Sequence, residues 1–485
     1  MQKSKWITLG GLTGVSRILG LLRDVICAYF FGANQDFDAF IVAFQIPNFM
    51  RRLFAEGAFT QAFVPIYNDL SSKDQKVFAG LTLTLIVLFT GSLVALTIMY
   101  TKGIILLYAP GFVSKHQEQL ANTIAMLKWT MPYITMISIV SMCAGIQNSH
   151  NKFNLTGMIP IVLNLCLILA TLNSKQDVFI LAKAVFAAGL LQAGIMLTST
   201  IKYIGSLNLD LTNKNIKQLY KLMLIGSLTA IISQFSTMLD TFLASWLEAG
   251  SVSWMYYAQR LVYLPIGMIA VAISTVLVPA LTKVKADKVK FARRMQWGLD
   301  LIWLIAWPAA IGLIVMAPTI VDIFFLHGKF NERSAIITCS IIRVLALGLP
   351  AFMLNKIFLA GLYAQKRLKE PFLFVCLSLF TNLLVAIILI KPCAQIGIAL
   401  GTVTSAWLQT ILLSKKFTNR FFEVIAPISA CIMALTIILV LKTTHLNGIL
   451  NLIVGLSLGI GIFELCLKAC NKSLFRELKL SKESI

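Results

Sequence analysis

The stretch VFAGLTLTLIVLFTGSLVALTIMY, residues 77–100, runs for 24 positions without a charged side chain. As an α-helix rising about 1.5 Å per residue it is about 36 Å long. That is enough to cross a hydrocarbon core of about 30 Å. Apolar runs of this kind recur along the chain, and reading those of about 20 residues or more gives fourteen candidate spans between residues 7 and 470. The composition agrees. Of 485 residues, 58% are hydrophobic and 13% charged, whereas a soluble domain is roughly half apolar and about a quarter charged. The fold class that follows is an all-α polytopic membrane protein with about 14 transmembrane helices. A soluble enzyme with one anchor is excluded, and so is a large extramembrane domain. The run GIILLYAPGFV (103–113) is too short to cross and reads as an interfacial segment.

The formal charge of +22 would suggest a nucleic-acid partner in a soluble protein. In a membrane protein, Lys and Arg gather in cytoplasmic loops. Assigning the loops alternately to two sides puts 26 basic residues on the side of the termini and 7 on the other. Both termini are therefore expected in the cytoplasm, with no nucleic-acid partner. The nine cysteines form no C-x-x-C pair, and the four histidines are scattered, so no zinc-type metal is expected. The uncharged run from Trp6 to Ser16 is broken by Arg17, Arg23 and Asp24, which argues against a cleavable signal peptide. Gly455-Leu456-Ser457-Leu458-Gly459 matches a G-x-S-x-G pattern but lies inside an apolar run, without the strand–turn–helix setting that chemistry requires. No phosphate-binding P-loop is present. The chain reads as a transporter, not an enzyme.

Nine basic residues remain inside the expected spans: Arg17, Arg23, Arg51, Arg52, Lys128, Lys183, Arg260, Arg343 and Lys356. Each costs roughly 2.5–3.5 kcal/mol at a helix centre and needs a partner, a wet cavity or a nearby interface. In the first span Arg17, Gly20 and Asp24 share a helical face. In the second, Asn48, Arg52 and Glu56 form a polar stripe flanked by Arg51, one turn after Pro47. In the eighth, Ser253, Tyr257 and Arg260 share a face ahead of Pro265. Asp24, Asp38 and Glu56 are the nearby acids, so the balance is positive. Guanidinium forks match phosphate oxygens bidentately, and the pattern asks for an anionic, phosphorylated ligand in a cavity between two lobes. Lys128, Lys183, Arg343 and Lys356 are dispersed and read as snorkelling or paired. Asp240 reads as a cation or proton site or a salt-bridge partner.

The segments AYFFGANQDFDAFIVAFQIP (from Ala28) and ASWLEAGSVSWMYYAQRLVYLP (from Ala244) form a loose internal repeat. In both, a Gly opens the hairpin between spans and a Pro follows fifteen residues later (Gly32 to Pro47, Gly250 to Pro265). Val64-Pro65 and Val278-Pro279 then end the second span of each pair. Six spans separate the copies, which gives two parallel six-helix lobes, a transporter architecture. The boundaries read from this are 1–205 for the N-terminal lobe, 206–416 for the C-terminal lobe, and 417–485 for two extra helices and a basic tail.

Three motifs carry a family resemblance: SRILGLLRDVICAYFFGA (16–33), DAFIVAFQIPNFMRRLFAEGAFTQAFVPI (38–66) and GSVSWMYYAQRLVYLPIGMIAVAISTVLVPAL (250–281). They resemble the MurJ (MviN) family of the multidrug/oligosaccharidyl-lipid/polysaccharide exporter superfamily. The resemblance implies a flippase that moves lipid II, the undecaprenyl-pyrophosphate-linked peptidoglycan precursor, across the bacterial inner membrane. It implies a cationic central cavity and two last helices forming a groove for the lipid tail. Arg17, Arg23, Arg52 and Arg260 match family cavity arginines, with Ser16, Asp24, Asp38, Asn48, Arg51, Glu56 and Ser253 as further motif positions. Asp240, Asn382 and Thr402 resemble a proposed sodium site. Ala386 departs from the pattern there, standing where some members carry an acid, as do Gln45 (often Lys), Gln259 (often Asp) and Tyr263 (often Glu). The expected mechanism is alternating access, with Gly20, Pro47 and Pro265 as flexure points. No organic cofactor is expected, and sodium or the membrane potential is the driving force. The partners implied are lipid II, membrane lipids and the cell-wall synthesis machinery. A flippase for another undecaprenyl-pyrophosphate oligosaccharide, a cation-coupled drug antiporter and a non-transporting scaffold stay open as alternatives.

Overall fold

The computed structural model describes residues 2–54, 58–114, 117–150, 152, 154–210, 212–365, 367, 369–417, 425–443 and 448–470. Every regular element among the described residues is a helix. In the first part of the chain these are α1 (Gln2–Phe31), α2 (Gln35–Phe54), α3 (Ala58–Asp69), α4 (Ser72–Met99), α5 (Thr101–Tyr108), α6 (Pro110–Ser114), α7 (Gln117–Thr130), α8 (Tyr133–Ser149), α9 (Asn154–Leu172), α10 (Phe179–Thr200) and α11 (Lys214–Ala244). There follow α12 (Ser251–Pro265), α13 (Val271–Lys283), α14 (Lys288–Phe324), α15 (Glu332–Leu347), α16 (Leu349–Ala364), α17 (Lys369–Cys393), α18 (Gln395–Ser414), α19 (Ile425–Thr443) and α20 (Gly448–Cys470). Among the described residues eight helical stretches are long and apolar enough to cross a membrane, or nine if α15 and α16, bent by 44°, form one broken span. The other five expected spans fall on α1, α2–α3, α11, α19 and α20.

The stretch quoted first shows why threonine is tolerated at this depth. Thr82, Thr90 and Thr97 of α4 donate their hydroxyls to the carbonyls of Phe78, Ile86 and Leu93, one turn back, at 2.6–2.8 Å. Nothing polar on those side chains is left to the lipid. Helix starts are set by short polar residues. Ser71, Asn213, Asp287 and Asn331 cap α4, α11, α14 and α15 by accepting backbone N–H groups. The backbone N–H of Lys290 leads the causes that hold the Asp287 carboxyl below its usual range.

The chain divides into two compact units, Met1–Ser253 and Trp254–Ile485. In the first, α1 packs on α9, α2 on α7 and α8, and α10 on α8 and α9. Helix α11, which the sequence repeat places with the second lobe, falls in this unit and packs on α2 and α3. In the second unit α17 pairs with α18, and α14 is the central helix, touching α15, α16, α19 and α20. Met316 of α14 closes a small apolar core with Ala430, Met433, Ile437 and Phe463 of the last two helices.

The two repeated hairpins share their backbone detail. Gly32 and Gly250 both take positive φ, 68° and 96°, a conformation that costs glycine little and other residues more. Pro47 and Pro265 both lie within their helices. Pro265 is followed at once by a π-helical turn, Ile266–Ala270, which gives that span an identifiable irregularity.

Two of the dispersed basic residues find local solutions. The Lys183 ammonium lies 5.1 Å from the Phe179 ring centroid and 5.9 Å from that of Trp129, a cation–π arrangement. Arg343 directs Nε toward the Ile314 carbonyl at 3.4 Å, the acceptor that Pro318 leaves without its helical donor.

The interfacial segment expected at 103–113 forms α5 and α6, and α6 docks on the end of α11. The Gly111 N–H donates to Ser245 Oγ at 3.0 Å, and a Cβ on Gly111 would sit 1.9 Å from the Ser245 carbonyl oxygen. Gly111→Ala should therefore lower stability by about 1–3 kcal/mol through overpacking, read as a fall in Tm in detergent. Gly103→Ala, with nothing within 4 Å of the added methyl, should show no such fall. Equal Tm values for the two variants would contradict the docking.

Candidate functional site

The cationic residues of the first unit divide into a buried and an accessible set. Arg23 is 7% exposed. Its Nε and Nη2 reach Asp24 Oδ1 at 3.0 and 2.7 Å, and its Nη1 donates to Asn164 Oδ1 of α9 at 3.0 Å. Asn164 Nδ2 in turn donates to the Ser16 carbonyl at 3.0 Å. Arg23 and Asp24 thus form a buried ion pair on α1, which Asn164 links to α9. Ser16 contributes its backbone carbonyl to the same junction. Gly20 faces Asn164 with ordinary contact distances to an added Cβ, so its flexure role gains no steric support.

Arg17, one residue past that carbonyl, is half-buried, and among the described residues no hydrogen bond or ion pair to its side chain is found. Arg51 is half-buried and Arg52 exposed, both in the last turn of α2. Arg52 Nη1 donates to the neutral amide oxygen of Gln234 on α11 at 2.6 Å. Asn48 uses its side-chain NH2 on the Phe44 carbonyl one turn back, at 2.9 Å. Glu56 lies outside the described residues. In the second unit Arg260 is exposed. Its Nη2 donates to the Tyr256 hydroxyl at 2.9 Å, and the guanidinium lies 4.7 Å from that ring's centroid. A neutral phenol thus engages an arginine whose flanking positions, Gln259 and Tyr263, carry no acid.

Asp38 does something the sequence did not indicate. Its carboxylate, 1% exposed, accepts the backbone N–H groups of Gly250 and Ser253 at 2.7 Å each, and the Ser253 hydroxyl as well. It therefore caps the N-terminus of α12 from α2, a charge placed against a helix dipole and its orphan donors. With the Gly111–Ser245 contact, the α11–α12 turn is fastened at two points. Nearby, Thr241 donates to Gln45 Oε1 at 2.8 Å, so Gln45 makes a neutral link between α2 and α11.

A hard cation takes several oxygen ligands. Within the second unit, Asn382 of α17 is fully buried with both amide atoms lacking a hydrogen-bond partner. It abuts Gly401, where a Cβ would come within 2.6 Å of Asn382 Oδ1. Thr402, the next residue, is buried, and its hydroxyl points to the Ile398 carbonyl at 3.3 Å. Ala386, buried beside them, supplies no oxygen. One amide and one hydroxyl oxygen are fewer than a sodium shell takes, so the side chains of Asn382 and Thr402 do not fill one by themselves. Asp240 is buried in the first unit. Among the described residues no cluster of three or more His, Cys, Asp or Glu could hold a metal.

Asn164, Gln234, Ser245 and Thr130 were not singled out by the charge pattern. The available signal was a polar residue alone in an apolar run, as Asn164 is in MIPIVLNLCLILATL.

Comparison with known proteins places this geometry. A family model described as lipid II flippase MurJ matches residues 27–465. A probable lipid II flippase of Vibrio cholerae is 33% identical over 429 residues, covering 84% of this chain and 81% of the relative. One from Buchnera aphidicola of Acyrthosiphon pisum is 32% identical over 427 residues, covering 85% and 83%. A solved lipid II flippase in an inward closed conformation superposes with a TM-score of 0.86 at 27% identity, covering 97% of this chain and all of that one. An inward-facing multidrug transporter of the MATE family matches with a TM-score of 0.67 at 12% identity, a likeness of fold.

The burial pattern sorts the arginines experimentally. Arg23→Ala leaves Asp24 buried without its ion-pair partner and should cost about 3–5 kcal/mol, seen as a large fall in Tm. Arg52→Ala, at an exposed position, should leave Tm within about 2 °C of wild type. Similar Tm losses for both would contradict the division.

Proposed function

The chain belongs to the lipid II flippase MurJ family, and from that premise we propose that it carries lipid II from the cytoplasmic to the periplasmic leaflet of the bacterial inner membrane by alternating access. It is a transporter, not an enzyme. In this reading the chain crosses fourteen times with both termini in the cytoplasm, as the 26-to-7 division of loop charge supports.

The observation that carries the site assignment is a set of accessible guanidinium groups on membrane helices. Arg52 bonds to Gln234 and Arg260 to Tyr256, and Arg17 is half-buried. These three are the proposed contacts to the pyrophosphate, whose oxygens suit bidentate guanidinium recognition. Arg23 is a structural member of the set. Asp38 is the proposed latch: while its carboxylate caps α12, the α11–α12 turn stays against α2, and release of that cap accompanies opening at this end. The last two helices are the proposed lipid-tail groove. Ile432, Leu435 and Leu439 of α19 and Ile453, Leu456 and Ile460 of α20 are exposed, offering an apolar face to an isoprenoid.

The membrane potential acts on charge with about 2.3 kcal/mol per elementary charge per 100 mV, and we assign it the driving role. Replacing sodium by potassium in proteoliposomes should leave transport unchanged, while collapsing the potential should slow it. A sodium requirement with no response to potential would reverse that assignment.

The function is tested in a strain depleted of its own lipid II flippase. The wild-type chain should restore growth. Arg17→Ala, Arg52→Ala and Arg260→Ala should each lose at least about tenfold in transport, the scale of one hydrogen bond to a charged group, at unchanged protein level. Full growth with all three variants would remove the arginines from the mechanism. Failure of the well-expressed wild type would point to a different lipid-linked head group.

A further inference from the structure

Pro47 interrupts α2 one residue before Asn48 and one turn before Arg51 and Arg52. A proline in a helix has no N–H to give to the carbonyl four residues earlier, here that of Ala43. In hydrocarbon an unmet carbonyl is costly, and a proline is tolerated where a neighbour supplies the missing donor. That donor is present. Thr130, fully buried at the end of α7, places its hydroxyl 2.6 Å from the Ala43 carbonyl oxygen. The same hydroxyl also lies 3.4 Å from the Leu127 carbonyl of its own helix. It has one proton, and the much shorter distance assigns that proton to Ala43.

The setting of Thr130 explains how it reaches across. The next residue but one, Pro132, interrupts the run of α7 into α8, and the helix restarts at Tyr133. Two proline-broken helices therefore meet at a single hydroxyl. The next carbonyl along, that of Phe44, takes the Asn48 side-chain amide at 2.9 Å. The gap that Pro47 leaves in the helical bonding is thus closed by a neighbour. Arg51 and Arg52 lie one turn beyond it, and the residue that meets the stranded carbonyl is 87 positions away in sequence.

We propose that Thr130 is a positioning residue for α2: its hydroxyl substitutes for the N–H that Pro47 lacks and fixes the course of the helix turn that presents Arg52. The geometric claim stands without the transport reading. Only its use in transport rests on the function proposed above.

The test combines Thr130→Val, which keeps the shape and removes the donor, Thr130→Ser, which keeps the donor, and Pro47→Ala, which returns an N–H to Ala43. Hydrogen–deuterium exchange on the segment 40–54 of the purified full chain reads the clamp. Thr130→Val should speed exchange there about fivefold, the ratio given by a hydrogen bond of ordinary net strength. Thr130→Ser should match wild type. In the Pro47→Ala background, Thr130→Val should have no further effect. Unchanged exchange in Thr130→Val, or an equal effect of that change with and without Pro47, overturns the proposal. Lipid II transport measured on the same preparations separates the two readings. Altered exchange with unaltered transport keeps the clamp and removes its part in transport. If the wild-type chain moves no lipid II, the transport reading fails while the exchange comparison still decides the clamp.

Discussion

Hydrocarbon offers no hydrogen bonds, so every polar group carried into it must be met by another part of the chain, by a ligand or by water. That constraint organises the molecule more than any single contact. The hydroxyls of α4 turn back on their own carbonyls. Thr130 supplies the donor that Pro47 removes. The Asp38 carboxylate closes the open donors at the start of α12. Arg23, Asp24 and Asn164 satisfy one another across α1 and α9. Each is a local solution with few alternatives, since leaving one partner out strands the other.

Set against these, Arg52 and Arg260 stand out because they are accessible, with an amide and a phenol among their partners. An amide or a phenol holds a guanidinium in place without cancelling its charge. Such contacts can be exchanged for an incoming anion, and a carrier that must release its cargo gains from contacts of that kind. The Asp38 cap obeys the same logic at the far end of α2. A carboxylate against backbone N–H groups is strong enough to hold a turn, yet it consists of a few bonds that part together.

The membrane class, the break from a crossing helix at 103–113 and both repeated hairpins were legible in the sequence. Apolar run length fixes the first, and the backbone needs of Gly32 and Gly250 and the missing donors of Pro47 and Pro265 mark the last. The arginines too were legible as a surplus, because charge inside apolar runs is visible without a fold. Their sorting was not. Arg23 and Arg52 look alike in one dimension, and only the helix opposite each shows its setting: Asn164, distant in sequence, completes the burial of one, while the other lies exposed beside Gln234. The Asp38 cap was hidden for the same reason, since its donors are backbone groups and have no letter code. Thr130 was hidden because threonine inside an apolar run usually bonds to its own helix.

The account rests on accessible positive charge on membrane helices taking up a lipid-linked diphosphate. It is tested most directly with the purified chain as the sole protein in liposomes, using lipid II whose head group can be chemically quenched from outside. Time-dependent protection of lipid II is the predicted result, abolished by the combined Arg17, Arg52 and Arg260 to Ala variant and absent for an undecaprenyl lipid with an uncharged head group. Equal transfer of the uncharged lipid, or undiminished transfer by the triple variant, would contradict it.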